Sequence, residues 1–346
     1  MTPSFTIRAP DCFHTHLRNG ALLGAVLPYY VRQFARVLAM PNLKPREVRT
    51  AEDAERYAEA IRQARVEQGL SEPFTALLTL FLTDATTPLD IEEAHRAGVV
   101  AAKYYPLGVT TNSDAGVRDI FALGPVLRQM EESGMVLCVH GEVPGINAAL
   151  AEEAFLPTLQ RLAFEFPRLR IVFEHISTAA AVACVASLPK TVAASITVHH
   201  ACITRAQVFN VFGDICDAHL YCKPIAKEEA DRRAVRQMMT SGDPRFFFGS
   251  DSAPHPRAMK EGAGCAAGVF SAPVAIETLV EIFEEDQVLE RLEDFTSRFG
   301  AQFYGLERNT GCIECTCTDW VVPEECGGVV PFRHGGTIHW QMRRLP

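Results

Sequence analysis

The chain has no apolar run approaching the roughly 18 residues that cross a bilayer as a helix, so no membrane anchor is implied. Residues 1–10 lack the basic start, apolar stretch and small-residue cleavage site of a secretory signal, and a cytoplasmic protein is expected. Positive charge is in deficit: 33 Lys and Arg stand against 42 Asp and Glu, for a net charge of −9. That balance argues against a nucleic-acid partner, which leaves a basic footprint, and against an anionic membrane surface. A small-molecule substrate fits better. Also missing is the paired spacing of a disulfide framework. The 11 cysteines are scattered through apolar segments such as Val136-Leu137-Cys138-Val139 and read as reduced packing residues. Cys312, Cys315 and Cys317, with Cys326, His334 and His339 downstream, loosely imitate a zinc ribbon. The second paired knuckle is absent, and 310–320 reads instead as an alternating strand.

What is present is apolar and periodic, with 48% hydrophobic and 22% charged residues over 346 positions. Short β-rich runs recur at 7–16, 35–41, 74–82, 99–105, 136–140, 170–175, 192–199 and 245–250. Between them lie segments of helical spacing, including 51–68, 88–97, 117–133, 147–166, 178–187 and 227–241. Strands apolar on both faces suit a parallel sheet covered by helices, and their number matches an α/β fold of the (β/α)8, or TIM, barrel type. We expect one domain over 1–346, with the barrel at about 5–300. Closing helices would occupy 272–299, and short strands at the rim would fill an extension over 301–346.

In such a barrel the chemistry gathers at the C-terminal strand ends. His14 and His16 are one residue apart, so on a strand they share a face, with Arg18 following on the same side. The other strand ends carry Asn42, Lys103, His140, His175 and Asp251. Each alone has an ordinary explanation as a satisfied strand-end side chain. Together they form a metal-ligand set that a barrel mouth would assemble from distant segments. Lys103 lies in the apolar run Val99-Val100-Ala101-Ala102, where a bare ammonium needs a partner or must lose its charge. Two divalent ions held by four neutral imidazoles and one aspartate would want a further anion. A carbamylated lysine would supply it.

These positions fall in FHTHLR (13–18), MPNL (40–43), KYYPLGVTTNSDAGV (103–117), VHGE (139–142), FEHIS (173–177), YCKPIAK (221–227), GSDSAPH (249–255) and CAAGVFSAP (265–273). In that order they resemble the amidohydrolase superfamily and, within it, the monofunctional dihydroorotase family of enteric bacteria, fungi and plants. The resemblance implies reversible cyclisation of N-carbamoyl-L-aspartate to L-dihydroorotate in pyrimidine biosynthesis. It implies two zinc ions, or other first-row divalent ions, one on His14, His16 and Asp251 and the other on His140 and His175. Carboxylated Lys103 and a hydroxide would bridge them, with Asp251 as catalytic base and acid. Arg18, Asn42 and His255 would hold the unreactive carboxylate, and backbone groups of Lys223 and Ala267 the ring. Thr110 and Thr111 would close over the ligand on a mobile loop. Lys223 departs from the enteric pattern, which has leucine there. A homodimer is also implied. Two other readings stay open: a hydantoinase-like hydrolase of another cyclic amide, which lacks a use for the carboxylate anchors, and a non-catalytic scaffold, which lacks a use for Lys103 and Asp251.

Overall fold

Pro10 has no backbone N–H to give a neighbouring strand, and the chain changes sheets there. In the computed structural model, which describes residues 2–345, the single strand expected over 7–16 is therefore two, β1 (Ser4–Arg8) and β2 (Asp11–Thr15). β2 begins an eight-stranded parallel sheet in strict chain order. Its other members are β3 (Arg36–Ala39), β4 (Thr75–Phe81), β5 (Ala101–Tyr104), β6 (Val136–Val139), β7 (Ile171–Phe173), β8 (Val192–Ile196) and β9 (Phe246–Phe248). The seam between β9 and β2 is joined just beyond β9. Asp251 N donates to His14 O at 2.9 Å, and His16 N to Ser252 O at 3.0 Å. The expected (β/α)8 barrel is thus the observed one.

Helices fill the connections. α1 (Gly20–Gln33) was not anticipated from the sequence: its N-cap Asn19 makes no side-chain cap bond, and Pro28 lies inside it. α2 (Ala51–Glu67) and α3 (Pro88–Arg96) match their expected ranges, each opened by a capping box, Thr50 with Asp53 and Thr87 with Asp90. α4 (Gly124–Ser133) and α5 (Ala151–Glu165) begin later than the patterns at 117 and 147 indicated. α6 (Ala179–Ser187) matches closely. The strand expected over 192–199 stops at Ile196, because the Thr197 side chain accepts from His200 N and starts α7 (Val198–Cys202). His199 and His200 therefore sit on a helix and do not end a strand. α8 (Arg205–Val208), α9 (Glu229–Met239), α10 (Arg257–Glu261), α11 (Ala275–Glu285) and α12 (Phe299–Tyr304) follow.

Both faces of the sheet are apolar. Outside, the strands pack against the helices in the larger core, and inside, Phe13, Leu38, Val136, Val172 and Phe247 fill the lumen. α12 plugs the N-terminal end, with Tyr304 stacked on Phe13 at 4.7 Å. β1 joins β10 (Cys312–Val321) and β11 (Thr337–Arg344) in a separate antiparallel sheet, so the rim sheet is not wholly C-terminal as expected. Cys312, Cys315 and Cys317 lie along β10, with Cys315 buried. Among the described residues no helix is long and apolar enough to cross a membrane.

Candidate metal centre

His14 is the fourth residue of β2, and its ring is fully buried at the top of the lumen. His16 follows, Lys103 is the third residue of β5, and His140, His175 and Asp251 come just after β6, β7 and β9. Asp251 Oδ1 lies 3.0 Å from His16 Nε2 and 3.3 Å from His14 Nε2. Donor atoms of these three residues all fall within 4.8 Å of one another. The second half of the set is continuous with the first: ring centroids are 5.0 Å apart for His14 and His175, and 4.8 Å for His175 and His140. The fold thus brings all six expected ligands to one place.

Two buried glutamates, not singled out from the sequence, aim these rings. Glu174 Oε2 is 2.8 Å from His14 Nδ1, which turns Nε2 toward Asp251. Glu142 Oε2 is 2.7 Å from His140 Nε2, which leaves Nδ1 as that ring's free donor. Such carboxylate backing fixes the tautomer and raises ligand basicity. Ser195 Oγ donates to Glu174 and accepts from His175 N at 2.7 Å, joining β8 to the same network. Glu142 follows His140 at i+2, just beyond the end of β6. Gly249 lets β9 approach this network. A Cβ there would lie 2.8 Å from Ser195 Cβ and 3.0 Å from His14 Cβ.

Charge inside the mouth is finely opposed. Burial alone would raise the Asp251 pKa, but hydrogen bonds from His14 and His16 hold it well below the ordinary carboxylate value. Burial pushes Lys103 down, with Glu174 opposing. Burial also drives His175 well below its usual value and lowers His140. For His14 burial is the largest influence and acts downward, but the charge of Glu174 together with hydrogen bonds to Asp251 and Glu174 makes the net shift upward. Neutral His140 and His175 with an ionised Asp251 are the protonation states metal ligands require. Backbone strain gathers at the same place: Arg18, His175 and Asp251 have φ of 65°, 43° and 42°, the left-handed region costly for residues with a Cβ.

The donor set accommodates metal. Lys103 Nζ and His175 Nδ1 are buried without a hydrogen-bond partner, and orphaned groups of this kind call for an occupant. Nitrogen and oxygen donors suit zinc and other first-row divalent ions. His199, His200 and Cys222 form a second buried group, but His200 already contacts Pro224 O through Nε2 and Thr197 Oγ1 through Nδ1, both at 2.9 Å.

Above the ligands is a small, largely enclosed cavity, lined also by Arg18, Asn42, Thr110, Thr111, Lys223 and Ala267. Arg18 Nε donates to Pro254 O at 3.0 Å, and Arg18 Nη2 lies 2.9 Å from His255 Nε2. That same nitrogen is 3.1 Å from Ala267 O, and the neutral ring, whose pKa burial lowers to about 2, can serve only one of them. The 107–113 loop is docked: Thr111 Oγ1 donates to Ala267 O at 3.3 Å, and Asn42 Nδ2 to Thr111 O at 3.1 Å. A larger, more open depression at the opposite end, near Leu188, Met238 and Phe303, lies away from the metal ligands.

A closed parallel barrel with histidines, a lysine and an aspartate converging at its C-terminal mouth defines the amidohydrolase class. The amidohydrolase family model matches residues 1–315, and the chain belongs to that family. A dihydroorotase of Sphingopyxis alaskensis is 45% identical over 346 residues, covering 99% of this chain and all of its own. The crystal structure of Saccharomyces cerevisiae dihydroorotase in complex with 5-fluoroorotic acid superposes with a TM-score of 0.91 at 32% identity, covering 100% of both chains. Within the amidohydrolases, then, this chain is one of the dihydroorotases. An L-hydantoinase of Arthrobacter aurescens shares the fold alone, at 14% identity and a TM-score of 0.80 over 99% of this chain and 83% of its own.

Proposed function

We propose that the centre interconverts N-carbamoyl-L-aspartate and L-dihydroorotate, with His14, His16 and Asp251 holding one divalent ion, His140 and His175 a second, and carboxylated Lys103 between them. The observation that carries this reading is Lys103: fully buried, without a hydrogen-bond partner, its pKa lowered by burial, among imidazoles and an aspartate. A neutral amine is the form that adds carbon dioxide; the new N–C bond releases one proton and turns that amine into a carbamate anion. Divalent ions bound here supply water ionised near neutral pH and polarise the carbonyl under attack.

In ring opening, Asp251 takes the proton of the attacking water on a carboxylate oxygen and delivers it to the departing ring nitrogen. In ring closure the ureido nitrogen gives its proton to Asp251 as it attacks the side-chain carboxyl, and water leaves. Arg18 grips the remaining carboxylate with Asn42, and His255 supports it from behind. Backbone groups of Lys223 and Ala267 face the ring, while Thr110 and Thr111 cover it and exclude water. The carboxylate anchors favour this ring over a hydantoin. Eleven free cysteines accord with a cytoplasmic setting, and a homodimer is the assembly we expect.

The test is loss of L-dihydroorotate on adding zinc-supplemented protein, beside Asp251→Asn. We expect turnover in the native chain and a fall of about 10²–10⁴ or more in the variant. Equal inactivity of both, with metal bound and the fold intact, would overturn the reading.

A further inference from the structure

Lys260 is only 3% exposed, yet no carboxylate among the described residues pairs with it. Its ammonium, on α10, donates to three backbone carbonyls instead: Tyr221 O at 2.9 Å, Ala266 O at 2.9 Å and Gly268 O at 2.7 Å. An ammonium has three protons, so all are used. The acceptors come from two segments that both reach the cavity lining, through Lys223 and through Ala267 and Gly268. Tyr221 stands two residues before Lys223, and Ala266 and Gly268 flank Ala267.

A trans peptide is planar, with its C=O and N–H pointing opposite ways. Turning the Ala266 carbonyl toward Lys260 therefore turns the Ala267 N–H away from it. That N–H donates to no group among the described residues, and Ala267 lines the cavity. On the other side of Ala267 the backbone is equally constrained. Gly268 has φ of 150°, and a Cβ there would lie 2.7 Å from Ala253 O. Gly268 N also donates to Tyr221 O at 2.9 Å, so one carbonyl receives both Lys260 and the loop.

We propose that Lys260 is a positioning residue that clamps the 221–223 and 266–268 segments together and fixes the Ala267 N–H as a donor to the carbonyl-bearing ring of the substrate. This rests on the reading of Ala267 as a ring contact. Lys260 touches neither the ligands of the metal centre nor the reacting atoms, so it acts on ring binding and leaves bond making to Asp251.

The test replaces the donor while keeping length, with Lys260→Met in the zinc-loaded full chain. KM for L-dihydroorotate should rise about tenfold, and the Kd of 5-fluoroorotic acid measured by calorimetry should weaken by a similar factor. Expected kcat stays within about threefold, and bound zinc is unchanged. Lys260→Arg, which keeps charge and donors, should recover part of the affinity. Unchanged KM and Kd in Lys260→Met, or a drop in kcat that merely tracks lost folded protein, would overturn the clamp. So would failure of both variants to fold, since Lys260 would then serve the fold. Absence of both turnover and 5-fluoroorotic acid binding in the native chain would instead overturn the underlying functional reading.

Discussion

Asp251 combines a left-handed backbone, two histidine contacts and a place at the barrel seam, so its substitution is read by more than one observable. The glutamates behind the ligands separate those observables. Glu174→Gln keeps size but removes the charge facing His14 Nδ1. Zinc affinity, measured by competition with a chelator, should fall about 10- to 100-fold, as it does when outer partners of metal histidines are lost. Affinity within twofold of the native value would show that the Glu174 charge does not tune His14. Arg18→Lys should raise KM about tenfold at nearly constant kcat, because an ammonium cannot reproduce the planar fork. At this scale the sequence disclosed the candidate ligands, which share a position at strand ends and which the fold brings together. It did not disclose Glu174 and Glu142, whose meaning lies in which nitrogen of a neighbouring ring they face. Lys260 was equally hidden, since its partners are backbone carbonyls and carry no residue signature.

Among the elements, α2 offers a stability measurement apart from the site. Asp53 accepts from Arg49 N, Thr50 N and Thr50 Oγ1 and sits beside Arg46 and Arg56. Burial opposes its ionisation, but these hydrogen bonds and charges prevail, and its pKa is lowered. A carboxylate lowered in the fold contributes stability that is present above its unfolded value and lost as pH falls through its folded value. Asp53→Asn should therefore cost about 1 kcal/mol at pH 7, read from urea midpoints. The gap should close as pH drops below about 4. A gap that does not narrow as pH falls would count against the ionic part of this cap. Elements with such signatures were legible: Thr50 and Thr87 announce α2 and α3, and Thr178 caps α6. α1 was not, because it has no side-chain cap and an internal proline, and its existence depends on packing that sequence does not state. The overlong strand at 192–199 failed for the converse reason: Val198 continues the apolar run, and only the Thr197 cap redirects it.

Across the whole molecule, segments early and late in the sequence share one sheet beside the start of the barrel, since β1 pairs with β10 and β10 with β11. The barrel count was legible from eight apolar runs; the splitting of the first of them at Pro10, and with it the mixed origin of the rim sheet, was not. Closure is uneven. Adjacent strands from β2 to β9 share ladders, whereas the last junction rests on Asp251 N to His14 O and His16 N to Ser252 O. These bonds are made by the very residues that would hold one metal ion. Ligand-bound and seam-closed states are therefore coupled, and free metal at 100 times its Kd should add about 2.7 kcal/mol to stability. The expected outcome of chelation is faster amide exchange at His16 and Asp251 than at Leu137 or Val172. Uniform loss of protection across the barrel would contradict this.

Because the seam lies at the ligands, a shortage of zinc should act on the amount of protein as well as on its rate. The metal-free chain opens at the junction of β2 with the segment after β9, which gives a protease access to backbone that the closed barrel protects. We expect its half-life in a protease-containing extract to shorten on chelation and to lengthen again on zinc addition. The centre would then report its own loading, and empty copies would be cleared instead of accumulating as idle barrels.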